Sequence, residues 1–442
     1  MSHYKRYTAY KESGVEWIGH VPEHWTVCKL NFRFSVELGK MLDQKRISGV
    51  HLVPYLRNQD VQWESINSTD LPAMDIAPDE YERYTAIAGD LLVCEGGDVG
   101  RAAIWQGEPI GYQKALHRLR PRRDDQPQFM LASLIAAKTM GVFAENDSKA
   151  TISHLPAEAF RNYRFPFPPP SEQSAICSAF ARETARIDAL IAKKTGFLEL
   201  LKEKRQALIT HAVTKGLDPN VRMKDSGVAW IGAVPEHWEV SKLAYTTREA
   251  GGKTPDTKNE AYWGGDVPWV SPKDMKQSEI IGAIDTISDT AVKECGMRLF
   301  APGAILAVVR GMILAHSFPV ATLAIPATIN QDMKALEPDT RIRANYLRLI
   351  LEAAKDYVVS VLVAEAAHGT RVLRTDVWRQ LPALIPPLDE QDAILAELDR
   401  ITARHEKLTD RVKESIALLK ERRSALITAA VTGQIDLRED AA

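Results

Sequence analysis

The strongest constraint on the fold of this chain is an internal sequence repeat that covers much of its length. Residues 11–25 read KESGVEWIGHVPEHW, and residues 224–238 read KDSGVAWIGAVPEHW. A second matching pair follows, with FPPPSEQSAI at 167–176 and IPPLDEQDAI at 385–394. An internal repeat of this length predicts two copies of one structural unit.

A third matching pair closes the two copies. KEKRQALITHAVTKGLD stands at 202–218 and KERRSALITAAVTGQID at 420–436. The offset between copies is 218 residues here but 213 at the first pair, so the second copy carries a net insertion of five residues. The segments between the matching ends are much less alike. We call the matching segments the frame of each copy and the residues between them its middle. Similar frames around dissimilar middles predict a common scaffold that carries two different binding surfaces.

Faint similarity persists inside the two middles. YLRNQDV at 55–61 parallels WVSPKDM at 269–275, and Gly39-Lys40 parallels Gly252-Lys253. These echoes predict that the middles share a fold although their side chains differ.

The local patterns predict strands followed by one long helix in each copy. Short β-branched or aromatic runs, separated by Gly, Pro and Asn, occupy 26–125 and 240–338. Ser171 follows the proline run at 168–170, and Asp389 comes shortly after Pro386-Pro387. Each is a good helix N-cap because its side-chain oxygen accepts N–H groups of the first turn. From Ser171 to Val213 there is no proline, which predicts a helix on the order of 60 Å long.

Heptad spacing of apolar residues runs along both predicted helices. Two long matching helices on related units would readily pair with each other, and packing of each helix on its own domain is the alternative. The predicted seam residues are Ile187, Leu190, Phe197, Leu201, Leu208, Ile401, Leu408, Val412, Leu419 and Leu426.

These patterns together predict an α+β protein with two similar globular α/β domains, each followed by a long helix. The predicted boundaries are 1–166 for the first domain, 167–215 for the first helix, 216–384 for the second domain and 385–442 for the second helix.

The composition disfavours several classes of function. The formal net charge of −2 is evidence against coating nucleic acid through bulk positive charge, although local basic surfaces stay open. The four cysteines form no CxxC pair, so neither a zinc site nor a disulfide framework is indicated. The N-terminus is polar and the apolar stretch at 357–367 is too short to span a bilayer, so we expect a cytoplasmic protein without membrane contact.

Catalytic motifs are not found in the sequence. Gly252-Lys253-Thr254 ends like a phosphate-binding loop, but Thr247 stands where the first glycine of that motif belongs. No Asn-Pro-Pro-aromatic methyltransferase loop and no HExxH metal spacing occur. His24 and His237 recur in the repeated PEHW, which favours a structural role over metal ligation.

The repeated motifs resemble those of the specificity subunits of type I restriction–modification systems. SGVxWIGxVPEHW begins each copy, PPxxEQxAI opens the long helix, and ALITxAVT closes it. The resemblance covers the chain from about Lys11 to Leu437.

The resemblance implies a DNA-binding subunit without a catalytic site. Each of two target-recognition domains would read one half of a bipartite, asymmetric site on double-stranded DNA. The two helices would pair antiparallel as a coiled-coil spacer that sets the gap between half-sites. Two methyltransferase subunits would dock on this scaffold and translocating restriction subunits would join them. S-adenosylmethionine, ATP and Mg would bind those partners, and no cofactor is expected in this chain.

Residues that contact DNA should lie in the middles and carry polar side chains. Arginine and lysine suit guanine or phosphate, and asparagine and glutamine suit adenine. The candidates in the first copy are Lys40, Arg57, Asn58, Gln59, Arg101, Gln113, Lys114 and Lys149. Those in the second copy are Lys253, Thr254, Ser271, Lys273, Arg310, Asn330, Gln331 and Arg371.

Two other classes of function stay open on the sequence alone. A protein-only scaffold, with two domains that bind partner proteins, would agree with the low net charge. A self-contained methyltransferase or nuclease is disfavoured by the missing motifs.

Overall fold

The computed structural model describes residues 4–42, 49–143, 154–366 and 369–438. The chain forms two compact units, one of Met1–Thr195 with Lys413–Ala442 and one of Gly196–Val412. The predicted α+β architecture is confirmed, with two mixed units and long helices. The four boundaries given above stay a prediction.

In the described part of the first unit, short strands and three short α-helices precede the long helix. The strands β1 to β14 are Tyr10–Glu12, His20–Pro22, Thr26–Lys29, Phe34–Leu38, Leu52–Leu56, Val61–Gln62, Ser65–Ile66, Ala73–Asp75, Thr85–Ala86, Leu91–Cys94, Ala102–Ile104, Ile110–Tyr112, Leu116–Pro121 and Arg164–Phe167. The helices α1 to α3 are Tyr81–Tyr84, Pro127–Thr139 and Ala157–Asn162, and the long helix α4 is Pro170–Lys215.

Two four-stranded sheets organise the first unit. One is antiparallel with the strand order β11-β10-β13-β4, and its buried face packs on apolar residues of α2 and α3. The other has the order β8-β5-β12-β9 and contains one parallel pair, β5 with β12. The two-stranded sheet β14-β3 joins the end of the unit to its beginning.

The second unit repeats this plan. Its strands β15 to β28 are Met223–Asp225, Ala233–Pro235, Glu239–Lys242, Thr247–Gly251, Trp263–Val270, Glu279–Ile280, Asp285–Ile287, Ile305–Val308, Val320–Leu323, Thr328–Ile329, Met333–Pro338, Val363–Glu365, Arg371–Leu373 and Pro382–Ile385. The helices α5 to α9 are Leu243–Thr246, Asp289–Glu294, Ala344–Ala353, Lys355–Tyr357 and Thr375–Trp378, and the long helix α10 is Leu388–Val431.

The strand order confirms that the dissimilar middles share a fold. A five-stranded sheet runs β18-β25-β22-β23-β20, and its first four strands match β4-β13-β10-β11 of the first unit in chain order and direction. A three-stranded sheet, β21-β19-β24, contains the parallel pair β19 with β24, which corresponds to β5 with β12. The second unit therefore keeps the same framework around different side chains.

Each long helix contributes to both compact units. In the first unit, Ile176 near the start of α4 belongs to the same apolar core as Leu426 and Val431 near the end of α10. In the second unit, Val213 near the end of α4 shares a core with Ile394 near the start of α10. Within each unit the two helix segments therefore run in opposite directions.

The predicted seam residues differ in burial. Phe197, Leu201, Leu208, Ile401 and Leu408 line one open groove of the second unit. Among all ten, the buried residues are Ile187, Leu201, Val412 and Leu426; the half-buried ones are Leu208, Ile401 and Leu419; the exposed ones are Leu190, Phe197 and Leu408. An uninterrupted apolar seam is thus not formed by these residues alone.

A buried carboxylate explains why PEHW and PPxxEQ recur together. Glu172 is 6% exposed and accepts hydrogen bonds from the indole Nε1 of Trp25 at 3.0 Å and from Nε2 of His24 at 2.8 Å. The adjacent Gln173 donates to the carbonyl of Pro168 at 2.9 Å and accepts from the backbone N–H of Gln126 at 2.8 Å. The bonds of Glu172 join the first repeated segment to the start of the long helix.

The second copy makes the same bonds with the same residue types. Glu390 accepts from Nε1 of Trp238 at 3.1 Å and from Nε2 of His237 at 2.8 Å. Gln391 donates to the carbonyl of Pro386 at 2.9 Å. Both histidines therefore have the structural role that their recurrence predicted.

We expect the stability of the first unit to fall in mild acid because of His117. This side chain is fully buried in β13, its Nε2 donates to the Leu155 carbonyl at 2.7 Å, and its Nδ1 has no hydrogen-bond partner within the described residues. Burial lowers the pKa of His117 from 6.5 to about 4. The folded state thus binds the proton less tightly than the unfolded state, so the stabilisation is complete above pH 6.5 and is lost as pH falls toward 4.

Urea unfolding measures this effect. The free energy of unfolding should drop by about 2 to 3 kcal/mol between pH 7 and pH 4.5 in excess of the change in His117→Gln, which has no titrating ring. An equal pH dependence in the wild type and the variant would show that the acid sensitivity originates elsewhere.

Candidate nucleic-acid interface

The predicted contact residues gather where a parallel strand pair ends. In the first unit β5 ends at Leu56 and β12 ends at Tyr112, and these two residues are paired. The chain leaves the two strands at Arg57 and Gln113, and the backbone N–H of Gln113 donates to the Leu56 carbonyl at 3.1 Å. The carboxyl ends of parallel strands are a common place for a ligand site because the chain turns away there.

A glycine brings a third segment against this pair. Lys40 donates its backbone N–H to the carbonyl of Tyr112 at 3.0 Å, and its own carbonyl accepts from Lys114 at 2.9 Å. A Cβ on Gly39 would lie 2.2 Å from the carbonyl oxygen of Gln113, so only glycine permits this approach. Lys40 is therefore held beside Gln113 and Lys114.

The second unit builds the same junction. β19 ends at Val270, which pairs with Ile329 at the end of β24. Lys253 donates its backbone N–H to the Ile329 carbonyl at 3.0 Å, and a Cβ on Gly252 would lie 2.0 Å from that carbonyl oxygen. The sequence echo of Gly39-Lys40 in Gly252-Lys253 therefore marks equivalent positions.

The side chains of the first junction form two sets of polar contacts. Asn58 donates to the carbonyl of Gly96 at 3.1 Å, and Arg101 donates to the Oδ1 of Asn58 at 3.0 Å. Lys40 forms an ion pair with Glu80 and lies 5.7 Å from the ring centroid of Tyr84. The hydrogen bond from Lys40 lowers the pKa of Glu80 below its ordinary value.

Arg57 is fixed by a carboxylate three residues along the chain. Its Nε and Nη2 donate to Asp60 at 2.9 Å and 2.8 Å. Burial raises the pKa of Asp60, but the hydrogen bonds from the Arg57 side chain and backbone outweigh it, so the pKa lies below its ordinary value. Gln59 and Lys114 are exposed beside this turn.

The second junction carries different side chains on the same framework. Thr254 donates its hydroxyl to Oε1 of Gln331. Asn330 is buried, and its Oδ1 accepts from the backbone N–H of Asp332 at 3.1 Å. Ser271 is buried and donates its hydroxyl to Asp274 at 3.0 Å.

The remaining candidates are less central. Lys273 forms an ion pair with Asp285. Arg310 is exposed and its backbone pairs with Val372, next to Arg371, whose side chain binds Glu365 at 3.0 Å. Lys149 lies outside the described residues.

Sequence reasoning missed the acidic residues that orient the basic ones. Asp60 and Asp274 occupy the same place in YLRNQDV and WVSPKDM and are identical, which was an available signal. Glu80 has no counterpart that the repeat could reveal. Within the described ranges, no group of His, Cys, Asp and Glu side chains is arranged to hold a metal ion, and no helix is long and apolar enough to cross a membrane.

Comparison with known proteins finds similarity to one class of protein. Residues 235–418 match the sequence model of a family described as the Type I restriction modification DNA specificity domain. The chain is similar in sequence to specificity subunits of type I restriction–modification systems. The resemblance drawn from the repeated motifs is thereby confirmed.

Two curated relatives are similar over part of their length. The type I restriction enzyme MjaIX specificity subunit of Methanocaldococcus jannaschii is 31% identical over 198 residues, which is 42% of this chain and 44% of that protein. The EcoR124I/EcoR124II specificity subunit of Escherichia coli is 28% identical over 286 residues, which is 62% of this chain and 64% of that protein. The chain thus matches less than two thirds of either relative.

Two solved structures share the fold over nearly the whole chain. A chain from a study of complex assembly and conformational transition of the type I R-M system has a TM-score of 0.63 at 17% identity, covering 93% of this chain and 98% of its own. The HsdS subunit from Thermoanaerobacter tengcongensis has a TM-score of 0.53 at 16% identity, covering 96% of this chain and 100% of its own. At such identities the likeness establishes the fold alone.

Proposed function

We propose that this chain is the non-catalytic specificity subunit of a type I restriction–modification complex, in which each unit reads one half of a bipartite, asymmetric DNA site. The observation that carries the proposal is the pair of equivalent strand-end junctions, which have the same backbone and different polar side chains. An asymmetric target requires this combination, because one scaffold must present two different sets of donors and acceptors to base edges.

The partners follow from the class of complex that the relatives belong to. Two methyltransferase subunits would dock on the scaffold, and translocating restriction subunits would join for cleavage. S-adenosylmethionine, ATP and Mg would then be bound by those partners. The long helices α4 and α10 would set the gap between half-sites, since a helix pair keeps a distance better than a flexible linker does.

A protein-only scaffold is the second candidate, and one observation favours it. Several candidate cations are already paired with carboxylates of the same unit, including Lys40 with Glu80 and Lys273 with Asp285. The two functions differ in their response to salt. DNA binding through phosphates weakens steeply as salt rises, whereas a protein-only scaffold would have no salt-dependent DNA affinity in any assembly.

A methylation map of the host genome tests the proposed function. Single-molecule sequencing would compare cells with this gene intact and deleted. A two-part motif with an unread gap, methylated only when the gene is present, would support the proposal. Identical maps, together with no salt-dependent DNA binding by the complex isolated from the host, would contradict it.

Lengthening both long helices by one heptad should widen the gap without changing either half-sequence. The insertions would follow Leu198 in α4 and Asp410 in α10, where both helices are continuous. Seven residues add about 10 Å of helix, which corresponds to about 3 base pairs. The methylation map reports the new motif directly. A chain in which seven residues are inserted at the exposed Asn220 instead is the control, and its gap should stay unchanged. Altered half-sequences in the lengthened chain would show that the helices are not a spacer.

A further inference from the structure

Each copy has a turn after the first strand of its parallel pair, Arg57–Asp60 in the first copy and Ser271–Asp274 in the second. Each turn ends in an aspartate, and the two aspartates make different hydrogen bonds. In both turns the carboxylate accepts the backbone N–H of the first residue, at 2.7 Å from Arg57 and at 2.8 Å from Ser271. Both turns are single 3-10 turns that follow the first strand of the parallel pair. The backbone is therefore equivalent, and what differs is the group that the carboxylate orients.

In the first copy the carboxylate orients an arginine. Asp60 is 4% exposed and binds the Nε and Nη2 edge of Arg57 with two nearly equal hydrogen bonds. Two bonds fix the plane of the guanidinium, and they leave Nη1 and the outer N–H of Nη2 for another acceptor. The Arg57 side chain is 32% exposed, so that free edge can be reached from solvent.

In the second copy the equivalent carboxylate, that of Asp274, orients an apolar loop. One oxygen of Asp274 accepts the hydroxyl of Ser271 at 3.0 Å, and the other accepts the backbone N–H of Ile284 at 2.8 Å. Ile284 is 64% exposed and Ile281 is 71% exposed. No arginine occupies this turn; its exposed Lys273 is paired with Asp285, and the loop that Asp274 binds exposes two isoleucines.

We propose that Asp60 is a positioning residue that presents Arg57 to a guanine, whereas Asp274 positions Ile284 against a thymine methyl group in the other half-site. The inference rests on the proposed DNA-specificity function. Guanine offers O6 and N7 as two acceptors side by side, which match two donors of a fixed guanidinium. Thymine is the base with a methyl group in the major groove, and an exposed isoleucine complements it.

Exchange of the first residue between the turns tests the proposal. Arg57→Ser recreates the Ser271–Asp274 pair, which the same backbone already accommodates, so this variant should fold. Its methylation map should lose the requirement for one guanine in one half-site, with discrimination at that base falling by about 5- to 150-fold. Ser271→Arg should add a guanine requirement in the other half. Arg186→Ala removes a surface ion pair with Glu183 and is the matched control, with an unchanged motif.

Asp60→Asn separates positioning from a merely structural role. Arg57 keeps its charge in this variant, so the salt dependence of binding by the complex should stay the same while guanine discrimination falls. Equal weakening for every sequence would instead indicate general loss of structure and would count against positioning.

The outcomes distinguish this inference from the proposed function. A genome methylation map that is the same with and without the wild-type gene counts against the proposed function itself. A gene-dependent motif that Arg57→Ser leaves unchanged, or relaxes at an A·T pair, overturns the inference alone. If Arg57→Ser abolishes all methylation, the map of Ser271→Arg tests the proposal instead. A Ser271→Arg motif without a new guanine in the other half-site would then overturn the proposal. Ile284→Ser should relax a thymine in that same half, and an unchanged thymine requirement overturns the assignment of Ile284.

Discussion

Alanine at Gly252 should destabilise the second unit by more than about 3 kcal/mol. The new Cβ would lie 2.0 Å from the carbonyl oxygen of Ile329 and 2.3 Å from that of Asn330. Both obstacles are backbone atoms at the end of a buried strand, so no side-chain rotation can relieve the overlap. The segment that carries Lys253 would have to separate from the strand pair, and the junction would open.

Urea unfolding followed by hydrogen exchange would measure this loss and locate it. The matched control is Gly251→Ala, one residue earlier on the same chain, where the nearest atom is the flexible Nζ of Lys334 at 3.7 Å. The control should change stability by less than about 1 kcal/mol. Equal stability of the two variants would show that the close approach at Gly252 is not present in solution.

Gly39→Ala should have the same effect on the first unit, because its Cβ would meet the carbonyl oxygen of Gln113 at 2.2 Å.

Ending the chain after Arg423 should unfold the first unit and leave the second folded. The deleted segment contributes five large apolar side chains to the core around Trp25, namely Leu426, Ile427, Val431, Ile435 and Leu437. Burial of such side chains contributes about 1.5 to 3 kcal/mol each, so their loss is on the order of 10 kcal/mol, comparable with the whole stability of a domain. Polar bonds are lost as well, including that from Gln434 to the His20 carbonyl at 2.7 Å.

Hydrogen exchange read by peptide would resolve the two units. Amides of residues 10–38 and 85–121 should exchange at the rate of an unfolded chain, whereas those of 305–338 should keep their protection. Val431→Asp, at a fully buried position, should act in the same direction, and Leu418→Asp, 58% exposed on the same helix, should have little effect. Loss of protection in 305–338 alone would contradict the assignment of the C-terminal segment to the first unit.

The repeat allowed much of this architecture to be predicted, because each frame segment is bonded to another frame segment. PEHW and PPxxEQ recur together since Trp25 and His24 donate to Glu172 and their equivalents donate to Glu390. The junction residues could be predicted for a similar reason. Gly39-Lys40 and Gly252-Lys253 recur because a strand end lies too close for any Cβ.

Other features could not be read from one sequence. Which helix segment packs in which unit depends on contacts between residues far apart, such as Ile176 with Leu426, and heptad spacing gives no partner. The ion pairs of Lys40 with Glu80 and of Lys273 with Asp285 join residues that are 40 and 12 positions apart in the chain. Whether a given arginine faces solvent or a neighbouring carboxylate is likewise decided by the packed structure, so the candidates for DNA contact remain a prediction.

The placement of Leu426–Leu437 in the first unit also determines the order in which the protein can mature during translation. The second unit has all of its residues once Val412 has been made, but the core around Trp25 stays incomplete until Leu437 emerges from the ribosome. At about 5 to 20 residues per second, synthesis from Thr195 to Leu437 takes roughly 12 to 50 s. For that time Tyr7, Val21 and Trp25 lack the part of their cover that α10 and the residues after it supply, so the unit that is synthesised first is the one that finishes folding last.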